Sequence, residues 1–221
     1  MKPDDSLLAL LARMTRRAHI AEDTSLSALG LSRSFGLSAL RAQLEATQGR
    51  RLGALTPQMT VAQLRALLAQ GNPPPPAGAG VEPPAAASAV EDEQPAAPQA
   101  ALPLGLGMDI QDWASLPTAP HDLRADPTYA GLFTPAELAG SVLKPDPRRH
   151  LCGLFCAKEA AKKAHAMLLN LHPLDLEVRH DDAGRPLLHL GAGAPAAARK
   201  LRFLLAITHG SGFSAATCVV F

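Results

Sequence analysis

Phe155-Cys-Ala-Lys158-Glu159-Ala-Ala-Lys-Lys163-Ala164 is rich in alanine and long side chains and has no proline or glycine, which predicts a helix. Residues four apart share a helix face, so this pattern stacks Glu159 against Lys163. Two readings are open. One is a solvated ion pair worth a few tenths of a kcal/mol, roughly. The other is a site in which the acid takes a hard cation such as Mg²⁺ and the lysine takes phosphate oxygens. Far upstream, Leu104-Gly-Leu-Gly-Met108-Asp109-Ile110 reads as a short, mostly apolar strand with one acid near its end. An aspartate in such a run is costly to bury unless it meets a cation or donors. It can also simply cap the next segment.

The neighbouring stretches fall into place around that helix. Asp146-Pro147-Arg148-Arg149-His150 opens it. Before it, Thr134-Pro135-Ala-Glu137 carries a helix start, with Thr134 as N-cap, Pro135 in the first turn and Glu137 three residues on. Capping accounts for Glu137 without catalysis. After it, residues 176–180 and 187–190 predict a hairpin around Asp182-Ala-Gly184-Arg185-Pro186. Residues 204–209 and 213–221 predict two more strands. Gly191-Ala-Gly193 lacks the Lys-Ser/Thr of a phosphate loop. Cys152, Cys156 and Cys218 make no disulfide framework and no metal-ligand spacing, so they read as reduced core thiols of a cytoplasmic protein.

Residues 1–70 predict a helical bundle. Leu7, Leu8, Leu10, Leu11 and Met14 mark a helix from Ser6 to about Ala18. Leu37, Leu40 and Leu44 mark a second, closed by Gly49. Thr60 caps a third that carries Val61, Leu64, Leu67 and Leu68. Residues 71–103 are rich in proline and alanine and nearly free of large apolar side chains, which makes them a semi-extended spacer. The 20 prolines are unevenly spread, nine of them within this stretch, which points to a linker between folded parts. Net charge is +1, so no bulk field points to nucleic acid, and no apolar run has the length of a membrane span.

Four blocks, in order, resemble the holo-acyl-carrier-protein synthase type of 4′-phosphopantetheinyl transferase. Gly107-Met-Asp109-Ile110 is similar to the family's opening G-[IV]-D-I, and Phe133-Thr134-Pro135-Ala-Glu137 to its F-T-x-x-E. Lys158-Glu159-Ala160-x-x-Lys163-Ala164 is similar to K-E-A-x-x-K-A, and Ile207-Thr208-His209 to the block near its end. The resemblance covers residues 104–221 and implies an α+β domain. It implies transfer of 4′-phosphopantetheine from coenzyme A to a serine of an acyl carrier protein, with release of adenosine 3′,5′-bisphosphate. Asp109 and Glu159 would hold Mg²⁺, and Lys163 would sit on the phosphate being cleaved. Arg148, Arg149 and His209 would meet the phosphates of coenzyme A, and Arg124 would dock an acidic carrier. Where the family often carries an arginine in the long helix, this chain has Leu154. A homotrimer is also implied, serving fatty acid, polyketide or another pathway, with neither nucleic acid nor membrane as partner.

Residues 1–70 resemble an acyl carrier protein, which implies an all-α four-helix bundle. Leu29-Gly30 and Leu44-Glu45 bracket the modified serine of that family, but one residue is inserted and Arg33-Ser34 replaces Asp-Ser. Carriers are usually acidic, whereas this segment holds nine basic residues against five acids. Three readings stay open: a pseudo-carrier that takes no arm, a carrier modified at Ser34, or an unrelated bundle. For the whole chain the alternative is a non-catalytic adaptor that binds carriers or coenzyme A.

Overall fold

The computed structural model describes residues 3–32, 34–70, 102–118 and 122–221. The spacer reading falls almost wholly outside these residues. Among the described residues, three α-helices form the N-terminal part: α1 (Pro3–Thr15), α2 (Ser34–Gln48) and α3 (Val61–Ala69). The four-helix expectation is thereby corrected. Among the described residues, the segment between α2 and α3 is extended chain and turn, ending in the short bridge between Ser25 and Thr60. Gly49 leaves α2 at φ 63°, a left-handed conformation that glycine adopts at no steric cost. Thr60 and Gln63 complete a capping box on α3. Leu11, Leu26, Leu40, Val61 and Leu64 are fully buried at the centre of this part.

The C-terminal part is α+β. Strand β1 (Gly105–Asp112) leads to α4 (Pro127–Leu132), α5 (Pro135–Val142) and the long α6 (Pro147–Ala164). The hairpin β2 (Leu176–His180) and β3 (Pro186–Leu190) follows, then β4 (Phe203–His209) and β5 (Phe213–Val220). β1, β5 and β4 make an antiparallel sheet in that order, and α6 lies across β1 and β5.

Strand β1 is built inside out. Its inward positions are Gly107, Asp109 and Gln111, while Leu106, Met108 and Ile110 point outward. The cause is the closeness of α6. A Cβ at Gly107 would stand 2.0 Å from the carbonyl oxygen of Ala160 and 2.6 Å from the amide nitrogen of Ala164. No side chain fits there, so the apolar ones take the other face. Gly107→Val is therefore expected to cost at least about 1–3 kcal/mol by overpacking. A urea midpoint within error of the wild type would refute this close approach.

The two parts share a helix. Leu40 and Leu44 of α2 enter the N-terminal core, whereas Phe35 and Ala39 join the C-terminal one. Phe35 meets Phe155 of α6 edge-on, with centroids 5.2 Å apart. Gln43 donates to Thr128 at 2.9 Å, and Ala42 fills the space where a Cβ on Gly131 would be. Phe35, Ala39 and Ala42 are spaced i, i+4, i+7, a single stripe that seats α2 on α4. Arg51 pairs with Asp175 at 2.7 Å. His172 Nδ1 accepts from the Leu174 amide, so Nε2 carries the proton and donates to Glu45 at 2.7 Å.

Candidate functional site

Helix α6 positions most of the candidate residues. Asp146 caps it by accepting from the Arg149 amide, and Pro147 occupies the first turn. Lys162 and Lys163 sit in the last turn, where the negative end of the helix dipole favours cations. The helix is buried along most of its length, and Lys158 is wholly enclosed. Its ammonium donates to Glu137 at 2.7 Å, to the Leu132 carbonyl at 2.8 Å and to the Pro173 carbonyl at 3.0 Å. All three protons are used. Burial pushes this ammonium below its usual range, and the charge and hydrogen bond of Glu137 pull the other way. Glu137 is capping Thr134, as its spacing predicts, and it also accepts from the Val178 amide at 2.9 Å. Lys158 and Glu137 are thus internal struts.

The expected Glu159–Lys163 pair does not form. Glu159 pairs with Lys162 at 2.8 Å, and Lys163 reaches across to Asp109 at 2.7 Å. Gly107 explains the exchange, because it lets β1 lie against α6 and brings Asp109 within reach of Lys163. Asp109 is buried, and its second oxygen accepts from Gln111 at 3.2 Å. The Lys163 side chain is 48% exposed. Glu159, Lys162 and Lys163 together line a cavity of about 180 Å³. The same cavity is walled by Leu37, Ser38 and Arg41 of α2.

Among the described residues, no group of three or more His, Cys, Asp or Glu gathers as a metal cage. Two carboxylates suffice for Mg²⁺, which keeps several waters and takes only hard oxygen donors. Asp109 and Glu159 are carboxylates of that type, each balanced here by a lysine ammonium. By donor chemistry alone, both are oxygen ligands of the kind that ion takes.

Arg148, Arg149 and His209 do not join this cavity within one chain. Lys163 lies fourteen residues beyond Arg149 on the same helix, about 21 Å along its axis. Arg148 donates to the Leu116 carbonyl, and the Arg149 guanidinium lies 5.4 Å from the Trp113 ring centroid. His209 Nδ1 is 2.8 Å from Ser214 Oγ, which also accepts from Trp113 Nε1 at 2.9 Å. The His209 ring occupies the space that Gly153 leaves open. Burial, then the charge of Arg149, pulls the His209 pKa down. His150 is lowered to about 4, first by burial and then by Lys144 and the neighbouring histidines. The permanent positive charge near this end of α6 comes from Arg148, Arg149 and Lys144.

The remaining candidates stand apart. Arg124 is exposed in the turn before α4, its amide donating to Asp122 at 2.9 Å. Ser34 begins α2, and its side chain lies outside the described residues. Leu154 is 2% exposed, part of the core around Phe155. The three cysteines are free and buried, and burial raises Cys218 to about 11.

Residues 105–218 match the sequence model of the 4′-phosphopantetheinyl transferase superfamily. A curated holo-[acyl-carrier-protein] synthase of Solidesulfovibrio magneticus is 37% identical over 123 residues, spanning 52% of this chain and 96% of the relative. One from Anaeromyxobacter dehalogenans is 35% identical over 122 residues, spanning 53% and 94%. A solved structure of a holo-(acyl-carrier-protein) synthase from Bacillus anthracis in complex with coenzyme A (3′,5′-ADP) is 27% identical. It superposes with a TM-score of 0.43 over 54% of this chain and 97% of that one.

Proposed function

Because this chain belongs to the 4′-phosphopantetheinyl transferase superfamily, we propose that it is a holo-acyl-carrier-protein synthase, moving 4′-phosphopantetheine from coenzyme A to a carrier serine. The observation that carries this reading is the Asp109–Lys163 and Lys162–Glu159 constellation beside one cavity. Asp109 and Glu159 would hold Mg²⁺, which when bound neutralises charge on the diphosphate. Acids so engaged release Lys162 and Lys163, whose ammoniums then bind phosphate oxygens. Glu159 is the carboxylate lining the cavity among the described residues, and it takes the proton of the attacking hydroxyl. A serine O–P bond forms, the diphosphate P–O bond breaks, and adenosine 3′,5′-bisphosphate leaves. The test is incubation of the full chain with coenzyme A, Mg²⁺ and a panel of acyl carrier proteins. A mass increase of the carrier by one phosphopantetheine is expected, and coenzyme A binding without transfer would favour the adaptor reading.

The same reading includes a homotrimer in which Arg148, Arg149 and His209 of one copy face Lys163 of another. Its support is the outward face of β1 and β4. Leu106, Met108, Ile110 and Leu204 there are 58–66% exposed, an apolar surface that water does not favour. Met108→Glu together with Ile110→Lys should turn the assembly into monomers in sedimentation equilibrium. A wild-type chain that already sediments as a monomer would overturn this part.

For residues 1–70 the reading is a pseudo-carrier. Phe35, next to Ser34, is buried against Phe155, so the start of α2 is engaged with the chain's own C-terminal part. The intact mass after coexpression with a carrier and coenzyme A should show no phosphopantetheine on this chain, and an adduct at Ser34 would make it a true carrier.

A further inference from the structure

We propose that Arg41, carried by α2, is a phosphate-binding residue of the transfer cavity, which makes that site a composite of the N-terminal helices and the C-terminal fold. This rests on the transferase reading and deepens it. The cavity of about 180 Å³ is walled from both parts of the chain. Its charged lining is Arg41, Lys162, Lys163 and Glu159. A cation held by Asp109 and Glu159 would free Lys162 and Lys163 for an anion, and Arg41, paired with Glu45 through Nε, would add its remaining Nη1 donors. Leu37, Leu55 and Leu169 add apolar lining. Such a lining suits a ligand that joins a phosphate to an uncharged arm.

Arg41 is also set in place. Its Nε donates to Glu45 at 2.9 Å and its Nη2 to the Leu52 carbonyl, which leaves the Nη1 edge for a ligand oxygen. Glu45 is in turn fixed by His172 at 2.7 Å, across the junction of the two parts. Burial would raise the carboxyl of Glu45, but its bonds to His172 and the Leu52 amide and the charge of Arg41 hold it ionised. With Phe35 on Phe155 and Gln43 on Thr128, the guanidinium is anchored relative to α6.

The test uses the full chain in three variants: Arg41→Gln, Arg41→Lys, and Arg51→Gln as a change at the same junction away from the cavity. Coenzyme A is titrated calorimetrically, and KM and kcat for transfer are measured in parallel. Arg41→Gln should weaken coenzyme A binding about tenfold and raise KM to match, with kcat within about twofold, because a charge-assisted hydrogen bond is lost. Arg41→Lys should fall between, and Arg51→Gln should bind like the wild type. Unchanged coenzyme A affinity in Arg41→Gln overturns the inference. So does faster transfer in both Arg41→Gln and Arg51→Gln, which would make the helices a cover rather than a wall. Tight coenzyme A binding without transfer in the wild type would overturn the transferase assignment alone, and the titration would still decide Arg41.

Discussion

Lys158→Met should lower the unfolding free energy by about 3–5 kcal/mol, the cost of leaving a buried charge without its partner. For a domain of this size that is a fall in Tm of the order of 10 °C. The reasons are local. The ammonium of Lys158 has no access to solvent and satisfies Glu137 and two carbonyls, of Leu132 and Pro173. These belong to the ends of α4 and α5 and to the turn before β2, so one side chain ties four segments together. Methionine keeps the packing volume and removes all three bonds. Glu137→Leu should cost at least as much, because it also orphans the amides of Thr134 and Val178. Chemical denaturation of both variants checks this, and a loss below about 1 kcal/mol in Lys158→Met would show that the pair is not a strut.

Asp109→Ala and Glu159→Ala should each reduce transfer about a hundredfold or more, and Asp109→Ala should leave the fold nearly as stable. An acid that holds a catalytic cation contributes several kcal/mol to the barrier, roughly. Asp109 contributes less to stability, since Lys163 is half exposed and regains water when Asp109 is gone, whereas Glu159→Ala leaves the nearly buried Lys162 unpaired and should destabilise more. The two variants should also need more Mg²⁺ for half-maximal rate, a shift that a merely structural lesion would not produce. Carrier modification at wild-type rate in either variant removes the acids from the metal role. Lys163→Ala should slow transfer without moving the Mg²⁺ requirement in the same direction, because its removal unburdens Asp109.

Much of this architecture is legible before any coordinates, and the parts that are share a cause. Helix starts are read from three or four neighbouring residues, and Thr60, Thr134 and Asp146 all cap where their sequence places them. The strands of the C-terminal part follow from runs of apolar residues bounded by glycine. What escapes is whatever depends on distant partners. Glu159 and Lys163 are well spaced to pair, but Asp109 arrives from fifty residues upstream and takes the lysine. Lys158 looks like any lysine of a helix until Leu132 and Pro173 are brought to it. The arginines of α6 stand near Glu159 in the chain and far from it along the axis. The seat of α2 was written in Phe35, Ala39 and Ala42, yet the stronger leucine stripe of the same helix hides it.

That double-sided helix has a consequence for how the polypeptide is made. Synthesis releases Phe35 about 120 residues before Phe155, the ring that covers it. At about 5–20 residues per second, the aromatic stripe waits for roughly 6–24 s on the ribosome. Through that interval it is a sticky surface on an otherwise finished bundle. Nascent chains stalled between residues 70 and 130 are where trigger-type chaperones should be found clinging to α2, letting go once α6 has emerged.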